Sequence, residues 1–400
     1  MLTSLSLIFL IGLATAAICQ TLRLPRMIGM LATGVVLGPF VLDFLDPSIL
    51  GISAELRQMA LIIILIKAGL SLRISDLKKV GRPAILMSFL PAVFEILAFV
   101  LFAPMLLDVT LVEAAVIGAV LGAVSPAVVV PKMVSLMENR YGTEKSIPQM
   151  ILAAASLDDV FVIVLFSTFV GMAQGGSASA MDFANIPISI VSGVVLGAAL
   201  GWLLGIFFET AYAHKHLIRN SMKVIIVLGF SFLLIAIEGW LEGIVSVSGL
   251  LAVMSMACVL QMKSTTAVSG RLSEKFGKLW IAAEVLLFVL VGAAVDIRYT
   301  LGAGLAAIGL IFLALVFRSV GVWLCLLGTP LNGKERIFCV IAYLPKATVQ
   351  AAIGSVPLSL GLPCGKLVLS VAVLSILLTA PLGAFGMEIT YKRFLKQEGA

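Results

Sequence analysis

The chain has 400 residues, of which 61% are hydrophobic and 12% charged, with 27 basic against 21 acidic side chains and a net charge of +6. A soluble globular chain is roughly 25% charged, so this composition excludes a soluble enzyme on an anchor and points to a polytopic helical membrane protein. Apolar spans use up nearly the whole length, leaving no room for a separate catalytic or nucleotide-binding domain, and the positive balance reads as basic loops on one side of a membrane, not as a nucleic-acid interface.

Taken in chain order, windows near the ~20 residues that cross a bilayer fall at 2–19, 26–42, 56–72, 80–107, 111–137, 148–172, 185–212, 221–239, 244–262, 277–295, 300–326, 333–357 and 365–391. The opening stretch, MLTSLSLIFLIGLATAAICQ, lacks the basic start of a signal peptide and reads as a retained span. The second window, at 26–42, is as short as any, and the seventh is long enough to tilt. Between the sixth and seventh, AQGGSASAMDFAN from Ala173 reads as a small, polar outer linker.

Basic residues set the orientation. Of the 27, 21 fall on odd-numbered connections or the C-terminal segment, among them Arg23, Arg73, Lys78, Lys79, Lys215, Arg271, Lys275, Lys278 and Lys392. The opposite side holds three, Arg57, Arg298 and Lys366. The positive-inside rule then puts the C-terminus in the cytoplasm and the N-terminus outside. A missed or invented span would break the alternation, so it also supports a count of about thirteen.

The sixth window carries two adjacent carboxylates, Asp158 and Asp159, near its middle. One charge at bilayer depth costs about 2.5–3.5 kcal/mol on insertion scales, and each carboxylate disfavours ionisation of the other. A chain keeps such a pair when a cation, a proton or a basic partner compensates it. The functional reading is an ion or proton site; the structural one is a pair buried against Lys or Arg.

An internal repeat emerges at a shift of 220 residues. Gly29-Met-Leu-Ala32 then lies over Gly249-Leu-Leu-Ala252, Ala127 over Ala347 and Val129 over Val349. Seven spans separate the partners, so the copies run in opposite directions, an inverted repeat of the kind found in secondary transporters. The fifth span, GAVSPAVVVPK with Pro126 and Pro131, and the twelfth, AYLPKATVQAAIG with Pro345 beside Lys346, are both interrupted at mid-depth. Proline removes a backbone donor, so these two spans are predicted to be crossed, broken helices around a protein-lined or wet cavity. The fold class expected is all-α and polytopic.

Within spans, Glu95 and Arg318 occupy symmetry-related helices, as do Lys67 and Glu284. The opposite signs predict neutralising bridges, although Lys67 and Glu284 sit near enough to span ends to snorkel. The shift takes Asp158 and Asp159 to Leu378 and Thr379, so the acidic chemistry belongs to one copy. Cys19, Cys258, Cys325, Cys339 and Cys364 are scattered, without metal or disulfide spacing. His214 and His216 share a short basic loop and make no metal site.

Three stretches resemble the monovalent cation/proton antiporters, and within them the NHA-type (NapA-like) sodium/proton antiporter branch: LPRMIGMLATGVVLGP at 24–39, ASLDDV at 155–160 and, most specifically, LPKATVQAAIG at 344–354. The resemblance covers nearly the whole chain. It implies a homodimer in membrane lipid, with scaffold helices at 1–72 and 221–295, core helices at 80–172 and 300–391, a linker helix at 185–212 and a short tail at 392–400. It also implies Asp159 as main cation ligand, Asp158 as its neighbour, paired with a base or carrying a proton, and Ser125 as lender of a hydroxyl or nearby carbonyls. NapA-like relatives place a lysine where this chain has Arg318, which stays charged. Arg318 is therefore expected to bridge Glu95, and Lys346 becomes the candidate titrating partner of Asp158, with the choice between Lys346 and Arg318 as the base that pairs with Asp158 left open.

The activity expected is secondary antiport of sodium or lithium against protons in a bacterial inner membrane, with no cofactor and no enzymatic step. Two alternatives share parts of this reading: a potassium/proton antiporter, and a sodium-coupled organic-anion symporter of the bile-acid type, which does not need the aspartate pair.

Overall fold

A computed structural model describes the chain apart from Arg23 and residues 72–80, 176–179, 214–218, 242–246 and 398–400. Arg73, Lys78, Lys79, His214, Lys215, His216 and the middle of the 173–185 linker thus lie outside the described residues, as does Arg23. Every regular element among those described is helical, and one isolated antiparallel bridge joins Tyr141 to Gln397. In order they are α1 (Leu2–Thr21), α2 (Arg26–Leu37), α3 (Pro47–Gly51), α4 (Ser53–Ser71), α5 (Arg82–Met87), α6 (Leu90–Leu107), α7 (Leu111–Gly122), α8 (Pro126–Glu138) and α9 (Ile147–Gln174). There follow α10 (Ala180–Ala213), α11 (Asn220–Trp240), α12 (Gly249–Lys263), α13 (Thr266–Ala293), α14 (Ile297–Cys325), α15 (Gly333–Ala342), α16 (Thr348–Gly354), α17 (Val356–Ser359) and α18 (Gly365–Phe394).

All thirteen windows contain helix. Eight helical stretches of the described residues are long and apolar enough to cross a membrane, and the remaining windows hold α2, α4, α12 and the two broken spans. Some boundaries move. α2 ends at Leu37, short of the predicted 42, because Pro39 disfavours helix at Gly38; the residues beyond form an apolar loop. α10 begins at Ala180, so part of the predicted linker is helix. Arg271, Lys275 and Lys278, read as loop, ride on the continuous helix α13; hydropathy mistakes a charged helical turn for a connection.

The fifth and twelfth spans are broken. α7 opens on a capping box in which the Thr110 N–H donates to Glu113 Oε2 at 2.9 Å and the Glu113 N–H to Thr110 Oγ1 at 3.3 Å. It stops at Gly122, the chain runs extended through Ala123 and Ser125, and Pro126 restarts the helix, where its missing N–H costs nothing. α15 opens on a second capping box, Asn332 with Glu335, and stops at Ala342. The shift of 220 carries Gly122 onto Ala342, so both breaks begin at equivalent positions.

The chain separates into two compact units. The first comprises Met1–Arg57, Arg73–Ala173 and Val285–Ala400, the second Gln58–Leu72 and Gln174–Glu284. In the first, α6 packs on α7 and α14, α1 on α2, and α18 on α15, α16 and α17. Gly34 of α2 lies so close to the Val289 carbonyl that any Cβ would collide with it. In the second, α10 packs on α12. Its glycines 193, 197 and 201 face the backbones of Ser248, Ala252 and Met256, small residues at a four-residue spacing that let helices approach in a membrane.

Candidate ion-binding site

Freed backbone groups at the two breaks find partners across the first unit. The Ser125 N–H donates to the Pro345 carbonyl at 2.8 Å, and these two positions are repeat equivalents, so the breaks touch at the pseudo-twofold. Gln350 Nε2 donates to the Ala123 carbonyl at 2.8 Å, and Gln350 Oε1 accepts the Ala347 N–H at 2.7 Å. One amide thereby closes both breaks. The Lys346 N–H donates to Thr379 Oγ1 of α18 at 2.9 Å, and the Val124 N–H donates to Asp158 Oδ2 of α9 at 2.7 Å. Each break thus borrows an oxygen from the span that follows it.

Charges gather on this frame. Arg318, fully buried on α14, donates through Nε to the Tyr343 carbonyl at 2.6 Å, through Nη1 to the Gly122 carbonyl and to Glu95 Oε2 at 2.8 Å, and through Nη2 to Asp158 Oδ2 at 3.2 Å. Its planar fork suits it to hold several acceptors in fixed directions. Lys346 Nζ donates to the same Glu95 Oε2 at 2.6 Å. The expected bridge between Glu95 and Arg318 is therefore present. Of the two bases left open as partner of Asp158, Arg318 forms the bridge, and Lys346 is held by Glu95. The guanidinium reaches both acids at once, whereas the ammonium sits on one oxygen and acts on Asp158 only through space.

Asp159 is 6% exposed, Asp158 and Ser125 not at all. Among buried oxygens without a hydrogen-bond partner are Asp158 Oδ1, Asp159 Oδ1, Ser125 Oγ, Thr348 Oγ1 and the Tyr343 hydroxyl. Sequence reasoning missed Tyr343, Gln350 and Thr379. Gln350, an amide inside an apolar run, was the readable signal. Lys67 and Glu284 belong to the second unit. Lys67 Nζ lies 5.8 Å from the Trp280 ring centroid, with Glu284 near enough to attract it.

A cluster of three carboxylates and two cations lies at the crossing of the two broken helices, and comparison with known proteins identifies the family of the chain that carries it. The family model described as "Sodium/hydrogen exchanger, transmembrane" matches residues 5–392. The chain belongs to the sodium/hydrogen exchanger family. It is similar to sodium/hydrogen exchanger 9B2 of Homo sapiens, 34% identical over 390 residues covering 94% of this chain and 70% of that one. With sodium/hydrogen exchanger 9B1 of Homo sapiens the identity is 32% over 423 residues, covering 98% and 78%. The fold is that of the sodium proton antiporter MjNhaP1 from Methanocaldococcus jannaschii, with a TM-score of 0.80 at 23% identity and 98% coverage of both chains. This exchanger is accordingly an integral membrane cation/proton antiporter.

Proposed function

We propose that the exchanger trades sodium or lithium for protons at Asp158 and Asp159 by alternating access. The observation carrying this reading is the set of buried oxygens left unpartnered at the breaks: Oδ1 of each aspartate and Ser125 Oγ. Buried polar atoms are nearly always satisfied, and an exception calls for a physical reason such as an ion. Hard oxygen ligands are what a hard alkali cation prefers.

The charges support the same reading. Glu95, Asp158 and Asp159 set three negative charges against two on Arg318 and Lys346, so the fully ionised cluster is one charge short of neutrality. One proton or one monovalent cation makes up the difference. The two then compete for one place, and competition at a place that faces each side in turn is antiport. Asp158 Oδ2 already accepts from Val124 and Arg318, which supports giving Asp159 the larger share of cation binding. The driving force is the proton gradient, and net charge movement adds about 2.3 kcal/mol per charge per 100 mV.

The proposal extends to the whole chain. Residues 80–172 and 300–391 form the moving core, 1–72 and 221–295 the scaffold of a homodimer, and 185–212 the link. The C-terminus is cytoplasmic, and the proposed setting is a bacterial inner membrane. Proteoliposomes holding a pH-sensitive dye test the chemistry. Added sodium moves protons in the wild type and fails to do so in Asp159→Asn. Sodium-driven proton movement that persists without both aspartates overturns the reading, and parallel runs with lithium and potassium set the selectivity.

A further inference from the structure

A cavity of about 280 Å³ opens in the first unit, and Arg57 and Lys366 are its two cations. Its walls are otherwise largely apolar, from Pro39 and Phe40 through Leu50 and Leu290 to Leu358. Arg57 stands at the start of α4 and is 5% exposed, yet Nε and Nη1 are buried with no hydrogen-bond partner. A buried guanidinium with idle donors is costly unless an anion meets it. The acid acting on it is Glu55, which is exposed and two residues away on the same helix; residues two apart on a helix do not face each other. Asp296, the acid of the lining, has an interaction of its own. The space exceeds that of a bare ion, being on the order of nine waters at ~30 Å³ each.

Beside the cavity lies the loop that follows α2. Phe40, Val41, Leu42 and Phe44 are 50, 48, 46 and 60% exposed. An apolar loop of this kind at a span end belongs in the boundary between headgroups and acyl chains. Phe40 is common to loop and cavity, so a ligand held by Arg57 can continue into lipid.

We propose that this cavity seats the phosphodiester of an anionic phospholipid, with Arg57 as the buried anchor and Lys366 at the rim. A phosphate offers oxygens that match the guanidinium fork and shares its charge between both cations. The apolar wall takes the glycerol and upper acyl carbons. The site is separate from the aspartate cluster, and its test makes no use of transport.

The full chain, purified and delipidated in an uncharged detergent, is titrated with phosphatidylglycerol under native mass spectrometry. One tight lipid is expected, with affinity falling about tenfold in Arg57→Gln and several-fold in Lys366→Gln, and largely kept in Arg57→Lys. Lys366 is exposed, so its variant remains informative if loss of Arg57 impairs folding. The proposal is overturned by any of three results: unchanged phosphatidylglycerol affinity in both glutamine variants, equal affinity for phosphatidylcholine, or displacement by an equimolar amount of inorganic phosphate, which would mark a free-anion site.

Discussion

Replacing Glu95 by Gln changes one atom type and strands two cations. Glu95 Oε2 accepts from Arg318 Nη1 at 2.8 Å and from Lys346 Nζ at 2.6 Å, with all three side chains buried. Arg318 keeps Asp158 and the carbonyls of Tyr343 and Gly122. Lys346 keeps only attraction through space, so most of the loss falls on it. Breaking a buried pair from one side costs about 3–5 kcal/mol, which is two to nearly four decades in the unfolding equilibrium. Removing the stranded ammonium as well should return much of that. Glu95→Gln with Lys346→Met leaves two aspartates against Arg318, the same single negative charge as before. A double-mutant cycle read by thermal unfolding in detergent tests this: Glu95→Gln is destabilised, and the double variant lies closer to wild type than Glu95→Gln does. Additive destabilisation, with an interaction energy below about 0.5 kcal/mol, would refute the reasoning, because it would mean that Glu95 is not what holds Lys346.

Competition between one proton and one cation makes the apparent KM for sodium rise about tenfold per pH unit on the acid side of the carboxylate titration; a KM flat across that range contradicts a shared place. Gln350→Leu leaves the Ala123 carbonyl and the Ala347 N–H buried without their partner, at about 1–3 kcal/mol for each group, and a variant as heat-stable as wild type would show that the amide does not close the breaks. Gly383→Ala drives a methyl into the Pro345 ring at the twelfth-span break, costing about 1–3 kcal/mol if the ring cannot retreat. Gly171→Ala, with open space around the new carbon, serves as its control and should be neutral or stabilising.

Much of the architecture was legible because a bilayer makes few demands and states them in sequence: length of apolar run, and proline at mid-depth. Pro126 and Pro345 marked the breaks, and a shared shift marked the repeat. Boundaries fared worse where hydropathy and helix part company. The loop after Leu37 is as apolar as the helix before it, and only Pro39 betrays the stop. At Thr266–Ala293 the reverse holds, since Arg271, Lys275 and Lys278 are polar yet helical. Which base meets which acid was not readable. Glu95, Asp158, Arg318 and Lys346 come from four different spans, and their pairing depends on side-chain reach fixed by the packed backbone. Titration chemistry left Lys346 and Arg318 both open as the base for Asp158; geometry decides it, through a guanidinium able to serve several acceptors at once.

The repeat shows why only one copy carries the acids. At each break a backbone N–H needs an acceptor from the following span. In the twelfth-span break Thr379 supplies a neutral oxygen to Lys346, and in the fifth-span break Asp158 supplies a carboxylate oxygen to Val124. The backbone requirement is the same, so a hydroxyl is enough to meet it; a carboxylate there brings a charge that the fold does not need. Arg318 answers that charge, and Glu95 shares Arg318 while holding Lys346. With Glu95 committed to both cations and Asp158 Oδ2 to the frame, the proposed ion site falls to the remaining oxygens of the aspartate pair, where Asp159 is the most exposed member of the cluster at 6%. That is where an exchangeable ion has most to gain by binding and least structure to break by leaving.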